Sequence, residues 1–301
     1  MEVPLDDAAE GEGPPLAAAA ARGGGASLAR YYDRLAHWTA AARVLGYGGG
    51  RESLTVHRAL ADPRAGGRPT PNRLHDVLLE TLGAPPVGHV LDAGCGLGGT
   101  MLDLAGRCAA RFTGVTLSGR QADIARSAIA KAGFAGRIAV HVGSYDAPPS
   151  GPFDLVLAIE SLAHSPQPAR SVAELAALLP PGGRFAIVDD MPEAAARGTR
   201  DLALFQSGWH APALAGAAEL AAALVRCGLV ITADRDLTSE LRPRPLERIA
   251  RLEAVNRVLR RLAPTGALET LLDSYRGGLA LERLYRASLM RYRLILAERP
   301  L

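Results

Sequence analysis

The sequence predicts a doubly wound, Rossmann-like α/β fold, and three observations carry that expectation. Between residues 88 and 190, short apolar runs alternate with amphipathic helical patterns, the order of a parallel sheet with helices on both faces. One run, residues 153–159, is almost continuously apolar, as a strand covered on both faces must be. Another, residues 89–92, leads into glycines at 94, 96, 98 and 99 and then into Met101, Leu102, Leu104 and Ala105, so strand, tight turn and helix follow one another.

Taken in order, residues 1–27 lack periodicity and are expected to be a disordered tail. A helical pattern begins at Leu28, with Tyr31, Leu35, Trp38 and Ala42 on one face. Loops rich in Gly or Pro follow at 46–50 and 63–71. Between them His57 has no metal-ligating neighbour in the sequence and is expected to be structural or close to substrate. Leu74, Val77, Leu78 and Leu82 define a helix ended by Gly83 and Pro85-Pro86. After the glycine turn a helix should reach about Ala109 and a strand cover 112–116. Ser118 and Gln121 then open a helix as a capping box, with Ile124, Ala128 and Ile129 on its apolar face. Strands are expected at 137–143, 153–159, 185–188 (ended by Asp189 and Asp190), 228–233 and 292–297, and helices at 169–179 and 211–226. Residues 235–290 carry helical patterns broken at Pro264 and at Gly277-Gly278.

Composition excludes several classes. With 301 residues and 48% hydrophobic content, the chain can bury one large core plus a cap. No apolar run approaches the roughly 20 residues of a membrane span. The N-terminal residues are acidic and Ala/Gly-rich rather than basic and then hydrophobic, so no secretory signal is visible and a cytoplasmic location is expected. Cys95, Cys108 and Cys227 are too scattered for a disulfide framework or a zinc site. A net charge of +3 does not call for nucleic acid, and the dominance of arginine over the single Lys131 reads as GC-rich codon usage.

Two ligand classes fit a glycine turn at a helix N-terminus, and Asp92 separates them. Gly94, Gly96 and Gly99 have dinucleotide-site spacing, but such sites place a ribose-binding carboxylate roughly 20 residues on. Here that stretch is Gly114-Val115-Thr116-Leu117, with no acid. A carboxylate just ahead of the first glycine opposes a pyrophosphate and suits a ligand bearing ammonium and sulfonium charges, S-adenosylmethionine.

Residues 90–99 (Val-Leu-Asp-Ala-Gly-Cys-Gly-Leu-Gly-Gly) resemble the first motif of the class I S-adenosylmethionine-dependent methyltransferases, and four later stretches match that family in order and spacing. The likeness runs from residue 31 to 301 and points to the sterol, tocopherol and prenyl diphosphate C-methyltransferases and bacterial natural-product small-molecule methyltransferases. Tyr31-Tyr32-Asp33 is similar to their opening segment, where an N-terminal helix folds over the cofactor. Gly114-Val115-Thr116-Leu117-Ser118 with Gln121 resembles their second motif, in which main chain, Thr and Gln replace the ribose acid. Ser144-Tyr145-Asp146 sits where related enzymes bind adenine, with a plain turn as the alternative. Glu160-Ser161-Leu162-Ala163-His164 resembles the E-S-x-x-H stretch of the bacterial enzymes, and residues 178–183 the family's post-helix turn.

The resemblance implies a seven-stranded sheet with an antiparallel last strand at its edge, N-terminal helices and a helical cap inserted before that strand. The parts would be a tail (1–27), a helical lid (28–86), a cofactor-binding core (87–234), a cap (235–290) and the last strand (291–301). It also implies that S-adenosylmethionine is held by Asp92, Gly94, Cys95, Gly96, Gly98, Thr116, Leu117, Gln121, Ser144, Tyr145, Asp146 and Glu160. Tyr31, Tyr32, Trp209 and Tyr285 would serve the lid and substrate, and Glu160 and His164 catalysis. No metal is implied, and magnesium enters only with a diphosphate substrate.

Transfer from a sulfonium is an in-line displacement in which positive charge disappears, so proximity and water exclusion supply much of the catalysis. An oxygen or nitrogen acceptor must lose a proton, whereas an alkene carbon becomes a cation to be steadied and then deprotonated. Glu160 suits the second role as base or cation stabiliser; His164 is a base or a residue bonded to backbone. Thirteen arginines against seven acids between 235 and 293 form a solvated face for the most part, and an anionic substrate follows if two of them point inward. The expected activity is C-methylation of a small, apolar, isoprenoid-like acceptor, a terpenoid or prenyl diphosphate, by an enzyme without nucleic-acid partner; a homodimer is compatible with this. The alternative is O- or N-methylation of an aromatic or polyketide metabolite. An NAD-dependent oxidoreductase and a non-catalytic binding protein are more distant.

Overall fold

The computed structural model describes residues 25–37, 54–262 and 266–301. Helix α1 (Gly25–His37) comes first, then a hairpin of β1 (Leu60–Asp62) and β2 (Arg68–Thr70) and helix α2 (Asn72–Leu82). The core follows as β3 (His89–Ala93), α3 (Gly99–Ala105), β4 (Arg111–Thr116), α4 (Gly119–Lys131), β5 (Ile138–Val142), β6 (Leu155–Ile159), α5 (Pro168–Ala176) and β7 (Arg184–Pro192). Helices α6 (Arg200–Trp209) and α7 (Ala217–Arg226), strand β8 (Val230–Asp236), cap helices α8 (Leu246–Leu262) and α9 (Ala267–Arg286), and β9 (Met290–Glu298) complete it.

The sheet order is β5-β4-β3-β6-β7-β9-β8, with β9 antiparallel to both neighbours. Strand alternation feeds two cores. Val90, Leu155 and Leu157 join a cluster on one face with Leu74, Leu78 and Met101, while Leu91, Val156 and Ala158 join one on the other with Val172, Leu175 and Leu224. That double burial is why these strands read as continuous apolar runs. From β3 the chain moves outward to β4 and β5 and returns to β6 beside β3, so a crevice opens at the carboxyl ends of β3 and β6. Asp92 and Glu160 stand at those two ends.

Several boundaries differ from the sequence expectation. The antiparallel last strand is not at the edge: β8 lies outside it, because Tyr292, Leu294, Ile295 and Ala297 of β9 are fully buried whereas β8 carries Asp234, Arg235 and Asp236, charges an edge strand tolerates. Asp189 and Asp190 do not end β7, which pairs with β9 as far as Pro192. The helix expected at 211–226 starts only at Ala217, after α6 has ended at His210 with φ 51°. Helix α3 stops at Ala105, and α1 starts at Gly25 rather than Leu28. Gly277-Gly278 does not break α9. A Cβ on Gly277 would sit 2.8 Å from Trp209 Cδ1, and one on Gly208 would sit 2.5 Å from Asp273 O, so these glycines let α6 and α9 cross at backbone contact. Residues 1–24, the loop at 46–50, Trp38, Ala42 and Pro264 lie outside the described residues. No described helix is long and apolar enough to cross a membrane.

Candidate active site

The turn after β3 is folded on itself and on its neighbours. Gly94 N and Cys95 N both donate to Val115 O (3.0 and 2.9 Å), and Gly98 N donates to Cys95 O (2.8 Å). Gly94, at φ 102°, has Ser161 Cβ 2.5 Å from where its own Cβ would be; at Gly99 the corresponding neighbour is Thr55 N at 2.4 Å. Only glycine leaves room for the chain to run so close, and the turn is held tightly between its neighbours. Over it lies a cavity of about 210 Å³ lined by Asp92, Gly94, Cys95 and Gly96 from the turn, Thr116, Leu117 and Gln121 from the end of β4 and the start of α4, and Tyr145, Glu160 and His164 from the next strand ends. Tyr31 and Tyr32 of α1 and Trp209 of α6 close it.

Asp92 is 3% exposed, and its Oδ2 has no hydrogen-bond partner among the described residues. Burial pushes this carboxyl up to about 7. A buried, unpartnered carboxylate oxygen facing a cavity is poised for a cation or donor supplied by a ligand. Ser161 Oγ is a second such atom on the wall.

The expected nucleoside side is pre-organised. Ser118 Oγ caps α4 by accepting from Gln121 N (3.0 Å), but the capping box is not closed: Gln121 Oε1 instead accepts from Thr116 Oγ1 (2.8 Å). Tyr145 OH donates to Ser161 O (2.8 Å), which fixes the ring on the cavity wall. Ser144 and Asp146 do not line this cavity. Ser144 Oγ accepts from Asp146 N (3.1 Å) and Asp146 Oδ1 accepts from Ser171 Oγ, so the two build the turn and fasten it to α5. Gly98 is also off the wall and provides the close approach of α3 to Ala125 of α4.

A second chamber of about 260 Å³ shares Val56, His57, Glu160 and Trp209 with the first and extends under the cap to Arg242, Arg244, Tyr275 and Tyr285. Tyr285 therefore belongs to this chamber alone. Glu160 stands at the junction with φ 49°, a left-handed conformation that is costly for a side chain with a Cβ and is held here by Glu160 N donating to Val188 O (2.7 Å). Its Oε1 accepts from Arg58 N (2.7 Å) and Tyr292 OH (2.8 Å). Burial raises this carboxyl to about 7; the Arg58 guanidinium pulls it down and Asp190 pushes it up. Arg58 forks onto Asp190 (Nε–Oδ1 3.1 Å, Nη2–Oδ2 2.9 Å) and lies 5.5 Å from the ring centroids of both Trp209 and Tyr285, while Tyr285 OH donates to Asp190. Asp189 is held by the N–H groups of Ala163 and Asp190 and, being buried, is pushed well above the carboxylate range.

His164 is committed at both ring nitrogens. Nδ1 donates to His210 O (3.3 Å) and Nε2 accepts from Tyr32 OH (2.5 Å), and burial lowers the imidazole to about 4, so the ring is neutral. Tyr31 OH donates to Ser274 Oγ (3.0 Å) and Trp209 Nε1 to Ser274 O (2.9 Å), which ties α1 and α6 to α9. Arg58, Asp190 and Tyr292 were not among the residues predicted for the site. One signal was available for Asp190: two acids inside the apolar run 185–191 have to be paired when that run is buried.

Residues 90–183 match the family described as "Methyltransferase domain". The probable tocopherol O-methyltransferase, chloroplastic, of Oryza sativa subsp. japonica is 40% identical over 101 residues, 33% of this chain and 28% of that protein. The O-methyltransferase cnsE of Penicillium expansum is 32% identical over 157 residues, 52% of this chain and 56% of that protein. The chain thus spans from about a quarter to just over half of the length of these relatives. In fold it is similar to the crystal structure of geranyl diphosphate C-methyltransferase from Streptomyces coelicolor A3(2) in complex with Mg2+, geranyl diphosphate and S-adenosyl-L-homocysteine, with TM-score 0.67 and 21% identity over 91% of this chain and 97% of that one.

Proposed function

We propose, from the premise that the chain carries a class I S-adenosylmethionine-dependent methyltransferase domain, that it methylates a carbon atom of a small, largely apolar, isoprenoid-like acceptor held in the second chamber. The cofactor fits the first cavity on two observations: the Asp92 oxygen without a partner among the described residues, and the glycine turn, whose Gly94, Gly96 and Gly99 line the wall. Asp92 would take its cationic groups, and Thr116, Leu117, Gln121 and Tyr145 would hold its nucleoside. When bound, the cofactor supplies a methyl group activated on a sulfonium.

The observation that carries the carbon reading is Glu160. It stands where the two cavities meet, carries a carboxyl with a pKa near 7, and has its orientation fixed by Arg58 and Tyr292. Such a group steadies positive charge on the acceptor while ionised and then accepts the proton that the acceptor carbon releases. Trp209 and Tyr285 present aromatic surface to the same space. His164, the base an oxygen acceptor would call on, has both nitrogens engaged and acts instead to hold Tyr32 and α1 in place. At the outer end of the chamber Arg244 is tied to Glu282, whereas among the described residues Arg242 bonds only the carbonyls of Ser239 and Leu241. A guanidinium with no acid paired to it among those residues favours an acceptor with an anionic end, of which a diphosphate is one form. A cytoplasmic location belongs to the same proposal.

The test is Glu160→Gln, assayed with prenyl diphosphates, terpenoids and phenols. Cofactor binding should persist while turnover falls by about a hundredfold or more, the share that general-base catalysis contributes. Turnover close to that of the unaltered enzyme would remove Glu160 from the chemistry.

A further inference from the structure

Residues 54–58 lie as a strap against the glycine turn. Thr55 N sits 2.4 Å from where a Cβ on Gly99 would be, Val56 Cγ2 sits 3.3 Å from the equivalent point on Gly96, and the strap's last N–H, that of Arg58, binds Glu160. From its middle, His57 reaches outward to α2: His57 Nε2 is 2.9 Å from His75 Nε2, and the two rings are 5% and 0% exposed.

The protons on these rings can be counted from their partners. His57 Nδ1 faces Arg58 O at 3.0 Å, and His75 Nδ1 faces Asp103 Oδ2 at 2.8 Å. Carbonyl and carboxylate oxygens only accept, so both Nδ1 atoms carry hydrogen. The two Nε2 atoms then form a hydrogen bond only if one further proton lies between them. Without it, two lone pairs oppose each other at 2.9 Å, and the hydroxyl of Thr100, 3.3 Å from His75 Nε2, has one hydrogen and can satisfy only one of them. Reversing the His75 tautomer does not help, since its Nδ1 lone pair would then meet the Asp103 carboxylate. The pair is therefore one imidazolium and one imidazole, with Asp103 as counter-charge.

We propose that the single proton held between His57 and His75 is the latch of the 54–58 strap, and that both histidines are positioning residues: losing the proton frees the strap from the glycine turn and the Arg58 N–H from Glu160. The charged groups around the latch are Asp76 on α2, itself bound to Arg64 and Arg107, then Asp103 and Arg107 on α3, Arg58 on the strap with its Asp190, and Glu160 after β6. Burial, and then the neighbouring His75, lower His57 to about 3. Burial pushes the Asp103 carboxyl up, but the hydrogen bond and charge of His75 and the Arg107 guanidinium outweigh it and hold it below its usual range. The link from latch to catalysis rests on the reading of Glu160 as the base; the proton count does not.

Asp103→Asn provides the test. Its Nδ2, at the Oδ2 position, would donate to His75 Nδ1, and Arg107, whose Nη2 lies 3.0 Å from Oδ1 and 2.9 Å from Oδ2 in the native pair, would give up the Oδ2 contact and keep the one to Oδ1. His75 could then be neutral with its hydrogen on Nε2, so the latch would close without an ionisable proton. The full chain, labelled with 15N at histidine, is titrated by NMR from pH 5 to 10, and the affinity for methylthioadenosine is measured alongside. That probe has neither ammonium nor sulfonium, so Asp92 does not bear on it. In the unaltered protein the expected result is one imidazolium shared by two rings at neutral pH, lost in a single step, with affinity falling roughly 10- to 100-fold across that step. In the Asn variant the imidazolium and the step should both vanish, while anything due to Glu160 persists. Two neutral rings at pH 6 to 7 in the unaltered protein, which requires no variant to fold, would overturn the proposal. So would an affinity step that is as large in Asp103→Asn as in the unaltered protein.

Discussion

Replacing Asp92 with Asn separates electrostatics from shape at the cavity proposed for the cofactor. In the folded chain this carboxyl rises from an ordinary 3.8 to about 7, with burial as the cause, and at 3% exposure no solvent screening reduces the effect. A rise of that size corresponds to about 4 kcal/mol. For an acid whose pKa is raised by folding, the folded state binds more protons between the two values. The contribution to stability is therefore complete below about pH 4, declines as pH rises, and is gone above about pH 7. Asn stays neutral throughout, so the variant should match the native chain near pH 4 and exceed it at pH 8 by up to about 4 kcal/mol, read by denaturant unfolding. Binding of S-adenosylmethionine should show the opposite preference. Its positive charges need the carboxylate ionised, so calorimetric affinity in the native chain should climb by up to about tenfold per pH unit from 5 to 7 and then level. In Asp92→Asn the affinity should be roughly 10- to 100-fold weaker at pH 8 and should lose the Asp92 part of the slope. Glu160 titrates in the same range but is unchanged in the variant, so the difference between the two proteins isolates Asp92. A variant that binds as tightly as the native chain with the same pH slope would refute this account of the carboxylate.

Other perturbations have directions fixed by the geometry. Arg58→Met leaves Asp190, 3% exposed, without its cation, and should cost about 3–5 kcal/mol in denaturant unfolding. Gly208→Ala drives a Cβ to within 2.5 Å of Asp273 O and should cost about 1–3 kcal/mol in the same assay, with loss of the Trp209–Ser274 contact seen in tryptophan fluorescence. Arg242→Gln should raise KM for an anionic acceptor severalfold and leave S-adenosylmethionine affinity unchanged in calorimetry, because Arg242 lines the second chamber and not the first.

What the sequence discloses about this molecule follows from how local its causes are. The run into Asp92 and the glycine turn is legible because strand, turn and helix each depend on a few adjacent residues. Glu160 is legible for the same reason, being the first polar residue after an apolar strand. The strap is not: 54–58 has no periodicity, and its role comes from contacts with Gly99, His75 and Glu160, which are 44, 18 and 102 residues away from Thr55, His57 and Arg58. Gly277-Gly278 reads as a break because isolated glycines weaken helices, and only the crossing with Gly208 reveals the pair as a packing device. The inner position of β9 depends on pairing with β7 more than 90 residues earlier in the chain, for which local pattern carries no signal. Ser144 and Asp146 look like ligands by position but bond to each other and to Ser171, the usual behaviour of such residues in turns.

The central claim is that Glu160 serves methylation at carbon. It is tested most directly by incubating the protein with S-adenosylmethionine carrying a 13C methyl group and an acceptor panel of prenyl diphosphates, terpenoids and phenols, and then locating the label in the product by NMR. The expected result is a carbon-bound 13C methyl from an isoprenoid acceptor, formed by the native protein and not by Glu160→Gln. An oxygen-bound methyl, or a carbon-bound methyl formed equally well without the Glu160 carboxylate, would contradict it.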